Sequence, residues 1–390
     1  MTSLALVLAI LAVAVTAFLL GRLWPLQRRA SRVRARARAR ARSPLEALGR
    51  LFDDDPDAAD AFVAALNDGP ETIDAHLALG LALRRRGAWD KASRLHRHLL
   101  ARPGLSTLQV AQVEFQLALD HRAAGRIERA RRLLEALAAR RGDVAAAARE
   151  ALFELEVETG NWETAISLAR DGAFDAGGER GSVIAHCLCE LAEGAIDRGD
   201  LRTARERLDD ALRTDRNCVR ATLLRADIEA EAGGWTQAAA ALEGVLEQDA
   251  RFVPEILERL TTVHAQLGTA LDEERFLERV LQQAPSTPVL ERLLALREAR
   301  LGAEEARAFL CTEVARHPTL RGLSLLLQHW DAGDEAVTEA LRTALATPEL
   351  ARIPAYRCDA CGAAADRLLW RCADCGAWGT VAPVQGLLGA

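Results

Sequence analysis

A six-residue motif that recurs at nearly constant spacing constrains this chain more than any other feature. It consists of a glycine, any residue, a large apolar residue, two further residues and an alanine, and it first occurs at Gly87-Ala88-Trp89-Asp90-Lys91-Ala92. Four more copies of this turn motif begin at Gly125, Gly160, Gly199 and Gly233, so the intervals between successive glycines are 38, 35, 39 and 34 residues. A degenerate sixth copy begins 35 residues later, at Gly268. The chain is therefore built from structural repeats.

Each copy of the turn motif predicts two helices joined by a tight turn. Glycine can end the first helix in the left-handed conformation without steric cost. The large apolar residue is expected to cap the core of the hairpin, and the alanine lets the second helix approach the first closely. The spacing resembles that of the tetratricopeptide repeat, whose unit has about 34 residues, and residues 71–104 match it best. We therefore predict an all-α tetratricopeptide-repeat solenoid over residues 45–347, with a divergent first hairpin at 45–70.

The amino-terminal residues predict a membrane anchor. Residues 4–20 are apolar apart from Thr16, and seventeen residues span about 25 Å as a helix. A cleaved signal peptide is the alternative, but no positive charge precedes the apolar run and many follow it. We expect residues 1–24 to be a retained transmembrane helix. The positive-inside rule then places the amino terminus outside and the remaining chain in the cytoplasm.

The anchor is followed by an Arg-rich juxtamembrane segment, residues 25–44. This segment either remains solvated and sets the topology or contacts anionic lipid head groups, and both roles are compatible. Residues 22–42 contain nine Arg and no acidic residue, so the net charge of −6 leaves −15 on residues 43–390. The negative charge of residues 43–390 argues against nucleic acid as the main partner. The arginines expected to face lipid are Arg28, Arg29, Arg32, Arg34, Arg36, Arg38, Arg40 and Arg42.

The carboxy-terminal residues predict a metal-binding ribbon over 356–390, joined to the solenoid by a linker at 348–355. Two Cys-x-x-Cys-Gly knuckles place Cys358, Cys361, Cys372 and Cys375 around one tetrahedral ion, either iron or zinc. Two disulfides are the alternative, and a cytoplasmic location disfavours them. Four cysteine ligands leave no open coordination position, so such a site is structural or redox-active rather than hydrolytic.

The ribbon is too short to form a hydrophobic core, so the metal must supply much of its folding free energy. Trp370 and Trp378 flank the second knuckle, and we expect them to pack the ribbon on the last helices of the solenoid.

The sequence contains no catalytic constellation. His96 and His98 are two positions apart on a predicted helix, so they face different directions and cannot ligate one ion. The acidic cluster at Asp272-Glu273-Glu274 is interpreted as a solvated turn. Four scattered cysteines fall in helical pattern, where a free thiol behaves as a small buried hydrophobe: Cys187, Cys189, Cys218 and Cys311. We therefore expect a protein that is not an enzyme.

The inner groove of a solenoid binds peptides or folded proteins. Arg84 and Arg122 lie about one turn beyond the predicted close-packing positions of two first helices. They are candidates to enter the groove and pair with carboxylates of a client. Exposed arginines that only improve solubility are the alternative.

The anchor, the repeats and the four-Cys ribbon together resemble the lipopolysaccharide assembly protein B family of Gram-negative bacteria. The likeness is most specific at residues 71–97, at Arg316-His317-Pro318-Thr319 and at three short stretches of the ribbon: Tyr356-Arg357-Cys358, Leu369-Trp370-Arg371-Cys372 and Ala377-Trp378. The Arg-Ala alternation after the anchor is more regular here than the family pattern.

The resemblance implies a non-catalytic inner-membrane adaptor that brings the lipid A-committing deacetylase to a membrane-anchored AAA protease. It also implies a rubredoxin-like ribbon with iron on the four cysteines. Two other functions remain open at this stage: a scaffold for lipopolysaccharide synthesis and assembly proteins, and a rubredoxin-like electron-transfer module. A homo-oligomer is also possible.

Overall fold

The computed structural model describes residues 73–170, 179–329 and 354–386, together with the single positions 339, 341, 343 and 345. The described residues up to 328 form helices joined by turns, and residues 356–383 form a small three-stranded ribbon. The helices that form the repeats up to the fourth copy of the turn motif are α1 Ile73–Arg85, α2 Trp89–Leu100, α3 Thr107–Ala123, α4 Ile127–Ala138, α5 Asp143–Thr159, α6 Trp162–Leu168, α7 Glu179–Asp197 and α8 Leu201–Thr214. The helices that follow are α9 Val219–Glu231, α10 Trp235–Glu243, α11 Val245–Asp249, α12 Val253–Leu267, α13 Ala270–Gln283, α14 Thr287–Leu301, α15 Ala303–Arg316 and α16 Leu320–Gln328, with a 3₁₀ turn at Ala250–Phe252.

The turn motif folds as its sequence predicts. All six motif glycines have φ between 68° and 78°, which is the left-handed region. The large apolar residue two positions later begins the second helix in the five full copies, as Trp89 does for α2. It caps the hairpin only partly, because four of the five are half-buried and Trp89 is exposed. These findings confirm an all-α tetratricopeptide-repeat fold.

The motif alanine is the close-packing point of each hairpin. Its side chain has no exposed area in any of the five full copies: Ala92, Ala130, Ala165, Ala204 and Ala238. In the first hairpin a second small residue, Gly80 of α1, leaves room for the imidazole of His96 on α2. A Cβ atom at Gly80 would lie 2.2 Å from His96 Nε2. The two small residues thus set the distance between α1 and α2.

Several first helices begin at residues that satisfy their free backbone N–H groups. The Ser106 hydroxyl accepts a hydrogen bond from the Gln109 backbone N–H, and the Gln109 side chain accepts one from the Ser106 backbone N–H, which completes a capping box. The hydroxyl groups of Ser286 and Thr319 cap α14 and α16 by accepting one backbone N–H each. The Thr319 hydroxyl lies 2.8 Å from Gly322 N.

The chain divides into two compact units, residues up to Leu155 and residues from Glu156 onward. In the first unit, α1 to α4 form two hairpins, and one apolar cluster consists of Ile73, Leu99 and Val113. In the second unit, one large apolar cluster runs from Val219 to Leu325 and also includes Ala382 of the ribbon.

One sequence interpretation is wrong. Glu273 and Glu274 do not lie in a solvated turn; Glu273 lies in the first turn of α13 and Glu274 directly follows it, and only 2% and 5% of their surface is exposed. Their carboxylates pair with arginines of α14: Glu273 with Arg292 at 2.7 Å and Glu274 with Arg300 at 2.6 Å. Asp272, the first residue of the cluster, is exposed as expected. The two buried glutamates therefore connect consecutive repeats.

The carboxy-terminal ribbon contains three short antiparallel strands in the order β2-β1-β3: β1 Tyr356–Cys358, β2 Ala364–Ala365 and β3 Val381–Pro383. Residues 1–72 lie outside the described residues, and with them the predicted anchor, the Arg-rich segment and the first hairpin. Residues 330–338, most of the linker and the last four residues also lie outside the described residues. Among the described helices, none is long and apolar enough to cross a membrane.

The contact between Gly80 and His96 predicts opposite effects for alanine at two helical glycines. Gly80→Ala should lower the free energy of unfolding by about 2 kcal/mol or more, because the new Cβ cannot coexist with the buried imidazole. Gly194→Ala in α7 is the matched control, since its Cβ would meet only the end of Arg198, at 3.5 Å. That control should be neutral or stabilising by up to about 1 kcal/mol. Urea denaturation followed by circular dichroism measures both values, and equal effects would contradict the close-packing role of Gly80.

Candidate metal centre

The two Cys-x-x-Cys-Gly knuckles have the same backbone hydrogen bonds. In the first knuckle, the N–H of Gly362 donates to the carbonyl of Cys358 and the N–H of Cys358 donates to the carbonyl of Ala363, both at 2.8 Å. In the second, the N–H of Gly376 donates to Cys372 at 3.0 Å and the N–H of Cys372 donates to Ala377 at 2.8 Å. Both glycines have positive φ, 78° and 72°, which lets the chain turn back after the second cysteine.

The sulfur atoms of the four cysteines converge on one point. All four Sγ atoms lie within 4.8 Å of one another. The distance between Cys358 and Cys375 Sγ is 3.8 Å, and that between Cys361 and Cys372 Sγ is 3.7 Å. A tetrahedral ion with metal–sulfur bonds of about 2.3 Å requires neighbouring sulfurs to be about 3.8 Å apart. The cysteines can therefore hold one tetrahedral metal ion, and both measured separations are too long for a disulfide.

The protonation of these thiols depends on their neighbours. The Thr380 hydroxyl lies 3.2 Å from Cys358 Sγ, and its hydrogen bond is the main cause that lowers the pKa of Cys358 to about 6. For Cys361 the Ala363 backbone N–H lowers the pKa, but burial and the neighbouring sulfurs outweigh it and raise the pKa to about 12. Four thiolates at these distances repel one another, so a bound cation is what permits all four to ionise.

The metal centre has a buried side and an exposed side. Cys358 and Cys372 are buried together with Val381, and Tyr356 and Leu369 pack against this cluster. Cys361 and Cys375 are exposed. An ion held there would have two sulfur ligands in the ribbon interior and two at its surface.

Two tryptophans pack the ribbon against α6, α7 and the 3₁₀ turn of the second unit. Trp378 stacks on His186 of α7, with 5.3 Å between the ring centroids, and meets Trp162 of α6 edge-on at 5.9 Å. Trp370 stacks on Phe252 at 5.9 Å and also contacts the His186 ring. The expectation that these tryptophans pack on the last helices is therefore wrong, since their described ring partners, Trp162, His186 and Phe252, all precede α12.

His186 is the residue of this interface that sequence reasoning missed. Only 3% of its surface is exposed, and burial is the main cause that lowers its pKa to about 4. The ring is therefore uncharged at neutral pH, which suits its place between two indoles. A Cβ atom at Gly379 would lie 2.9 Å from His186 Nε2, so the ribbon backbone approaches this ring closely. The sequence offers no signal for His186, because its partners lie almost two hundred residues away.

Two polar contacts connect the ribbon to the 3₁₀ turn and α12. The Tyr356 hydroxyl donates to Glu255 Oε1 at 2.7 Å, and burial together with this carboxylate raises the pKa of Tyr356 to about 12. Asp359, the residue after the first metal-site cysteine, pairs with Arg251 at 2.9 Å. Arg251 also pairs with Asp249, and the hydrogen bonds to both carboxylates raise its pKa. Each end of β1 is therefore anchored to a helical repeat.

The two arginines predicted for the groove both contact the chain itself. Arg84 donates to Asp120 Oδ1 at 2.7 Å and to Gln116 Oε1 at 2.8 Å, and the second oxygen of Asp120 contacts Nδ1 of His96. Arg122 donates to Glu154 Oε2 at 2.7 Å. Each arginine thus reaches the first helix of the following repeat.

Family models match the two parts of the chain. The model for the rubredoxin metal binding domain matches residues 356–383, and the model for the tetratricopeptide repeat matches residues 56–93, 115–178 and 189–251. The fold and the site together define a tetratricopeptide-repeat protein with a carboxy-terminal, rubredoxin-like metal ribbon.

Two curated relatives identify the family. The chain is 31% identical to lipopolysaccharide assembly protein B of Escherichia coli K12 over 337 residues, which cover 85% of this chain and 86% of the relative. It is 30% identical to the protein of the same name from Haemophilus influenzae over 80% of each chain. The chain belongs to the lipopolysaccharide assembly protein B family. A solved tetratricopeptide repeat protein from Parabacteroides merdae covers 71% of this chain and 100% of its own, with 13% identity and a TM-score of 0.32.

The sulfur geometry predicts that replacing one cysteine removes the metal. Cys358→Ser should reduce the metal content of the purified protein from about one ion per chain to near zero and lower the melting temperature of the ribbon. Cys311→Ser, which changes a half-buried cysteine of α15, is the control and should keep the metal. Elemental analysis by mass spectrometry measures the stoichiometry. An unchanged metal content in Cys358→Ser would refute the four-thiolate site.

The hydroxyl of Thr380 predicts a separate effect on metal retention. Thr380→Val removes the hydrogen bond to Cys358 Sγ, and losing such a supporting contact typically weakens a metal site by 10-fold to 100-fold. Thr380→Ser keeps the hydroxyl and should behave like the unchanged protein. The measurement is the rate at which a chromogenic chelator removes the ion. Equal rates for the two variants would show that the hydroxyl does not support the site.

Proposed function

We propose that this protein is a non-catalytic inner-membrane adaptor that presents the lipid A-committing deacetylase to a membrane-anchored AAA protease. The observation that carries the proposal is a stack of tetratricopeptide hairpins in a chain of this family, because such stacks bind other proteins. The curated relatives are named for lipopolysaccharide assembly. Degradation of the deacetylase limits the output of lipopolysaccharide.

The proposal requires the chain to be held at the membrane. Residues 1–24 would form a single transmembrane helix with a periplasmic amino terminus, and the arginines of residues 25–44 would contact anionic lipid on the cytoplasmic side. The support is the apolar run at residues 4–20 and the nine arginines that follow within residues 22–42. Such an anchor raises the local concentration of the adaptor for a protease in the same bilayer.

The soluble part would comprise the solenoid at 45–347, the linker at 348–355 and the ribbon at 356–390. In the ribbon, Cys358, Cys361, Cys372 and Cys375 would hold one iron or zinc ion, which supplies charge neutralisation and crosslinks the two knuckles. Support comes from the sulfur separations of 3.7 and 3.8 Å. The ion would thereby also stabilise the surface that carries Trp370 and Trp378.

Arg84 and Arg122 are proposed contacts for an acidic segment of the client. The Arg84 side chain is only 13% exposed and is engaged by Asp120, so a client would reach it only by competing with that carboxylate. Arg122 is the more accessible of the two, because its side chain is 19% exposed and that of its partner Glu154 is 53% exposed, whereas Asp120 is fully buried. Exposed ion pairs contribute little stability, so a client carboxylate can replace Glu154 at low cost.

A second candidate function is electron transfer. The exposure of Cys361 and Cys375 favours it, because two sulfur ligands of a bound iron would lie at the surface. A reversible visible spectrum and a redox partner would support this function. A scaffold for lipopolysaccharide synthesis and assembly enzymes is a third candidate, which differs from the adaptor in leaving the half-life of its clients unchanged.

Deleting residues 1–23 separates binding of the deacetylase from its delivery to the protease. The shortened protein should still bind the deacetylase, because the solenoid and ribbon remain, but it should lose the stimulated degradation that needs proximity to the protease. Replacing residues 1–23 with an unrelated transmembrane helix is the control and should restore degradation. Deacetylase half-life in membranes and binding by pull-down are the measurements. Equal degradation with and without the anchor would contradict the adaptor mechanism, and an unchanged half-life in all cases would favour the scaffold.

A further inference from the structure

We propose that Cys189 and Cys218 form a dithiol that a hydroperoxide converts to a disulfide between consecutive repeats. This pair lies outside the ribbon, and the adaptor function makes no use of it. Cys189 lies in α7, and Cys218 is the residue that precedes α9. Their Sγ atoms are 3.9 Å apart. A disulfide needs about 2.05 Å, so each sulfur must move by roughly 1 Å, which side-chain rotation can supply.

An ion-pair network already holds the two helices at the required distance. Arg220, two residues after Cys218, is almost fully buried and donates to Glu190 at 2.8 Å and to Glu193 at 2.8 Å. Glu190 is the neighbour of Cys189 in the sequence. The charged groups therefore tie α7 to the start of α9 beside the two cysteines, which keeps the sulfur atoms adjacent.

The surroundings make Cys218 the nucleophile and Cys189 the resolving thiol. Cys218 is the residue that caps the amino-terminal end of α9, where the helix dipole favours a thiolate. The contact with the Cys189 sulfur is the main cause that lowers the pKa of Cys218, against the opposing effect of burial, and the same contact together with burial raises the pKa of Cys189. Cys218 directly follows the exposed turn residues Arg216 and Asn217, so local opening of this turn gives a small oxidant access.

The reaction balances with one hydroperoxide per pair. The Cys218 thiolate attacks hydrogen peroxide, so a sulfur–oxygen bond forms, the oxygen–oxygen bond breaks and the leaving hydroxide takes a proton to become water. The Cys189 sulfur then attacks the Cys218 sulfenic acid, the sulfur–oxygen bond breaks and the departing hydroxide takes the Cys189 proton. Two thiols are oxidised to a disulfide, and the peroxide is reduced to two molecules of water.

The disulfide would restrain α7, the helix that contacts the ribbon. α7 carries His186, three residues before Cys189, and that ring packs on both ribbon tryptophans. A covalent bond from α7 to the start of α9 would restrict local opening of this repeat. Oxidation would thus stabilise the surface on which the ribbon is seated, and a dithiol reductant would reverse the effect.

The test uses the full-length chain, loaded with metal and purified in detergent. The protein is treated with hydrogen peroxide, alkylated under denaturing conditions without reductant, digested and mapped by mass spectrometry. We expect a linked pair of peptides containing Cys189 and Cys218 with the loss of two hydrogens, abolished by dithiothreitol. Amide hydrogen exchange in residues 186–231 should be slower in the oxidised protein.

Variants assign the bond to the two sulfurs. Cys189→Ser and Cys218→Ser should each lose the linkage, and Cys189→Ser should leave a Cys218 sulfenic acid that dimedone traps. Cys187→Ser is the matched control, because Cys187 is equally buried in α7 but faces another direction, and it should keep the linkage. The proposal is overturned if Cys311 or the ribbon cysteines are oxidised while Cys189 and Cys218 remain fully alkylatable, or if the linkage forms only after denaturation.

Discussion

The contact between the two helices of each hairpin is the constraint on which the rest of the structure depends. It needs a glycine with positive φ to reverse the chain and an alanine small enough to lie at the crossing point with no exposed surface. A repeat of this kind contacts only its neighbours, so its stability is a sum of similar local contacts. That is why the same short motif recurs along the chain, and why we expect a single larger residue at Gly80 to affect a whole hairpin.

Between hairpins, charged side chains form many of the connections that the structure describes. Aromatic residues make up only 4% of the sequence, whereas ion pairs connect successive repeats at Arg84–Asp120, Arg220–Glu190 and Glu273–Arg292. Burying a charge costs several kcal/mol unless a partner compensates it, so each of these groups restricts how neighbouring repeats can stack. The pairs thus contribute to a defined stacking geometry more than to net stability.

The sequence predicts what is local and fails where the structure is long-range. The repeats, the turn glycines, the buried alanines and the convergence of four cysteines all follow from short motifs. The burial of Glu273 and Glu274 was missed, because the arginines that neutralise them lie on the next helix and no local sequence pattern predicts these ion pairs. The position of the ribbon against α6, α7 and the 3₁₀ turn was missed for the same reason. His186 and Trp378 are nearly two hundred residues apart, and no periodicity relates them.

The position of the ribbon links metal binding to the packing of the repeats. A ribbon of about 30 residues has little core of its own, and here Ala382 belongs to the large apolar cluster of the helices and Trp370 packs against it. The segment between the two tryptophans contains the second pair of cysteines. An ion that fixes these cysteines therefore also fixes Trp370 and Trp378 against His186 and Phe252. Because such coupling is reciprocal, contacts on α7 that favour the docked ribbon must raise its affinity for the ion by the same factor.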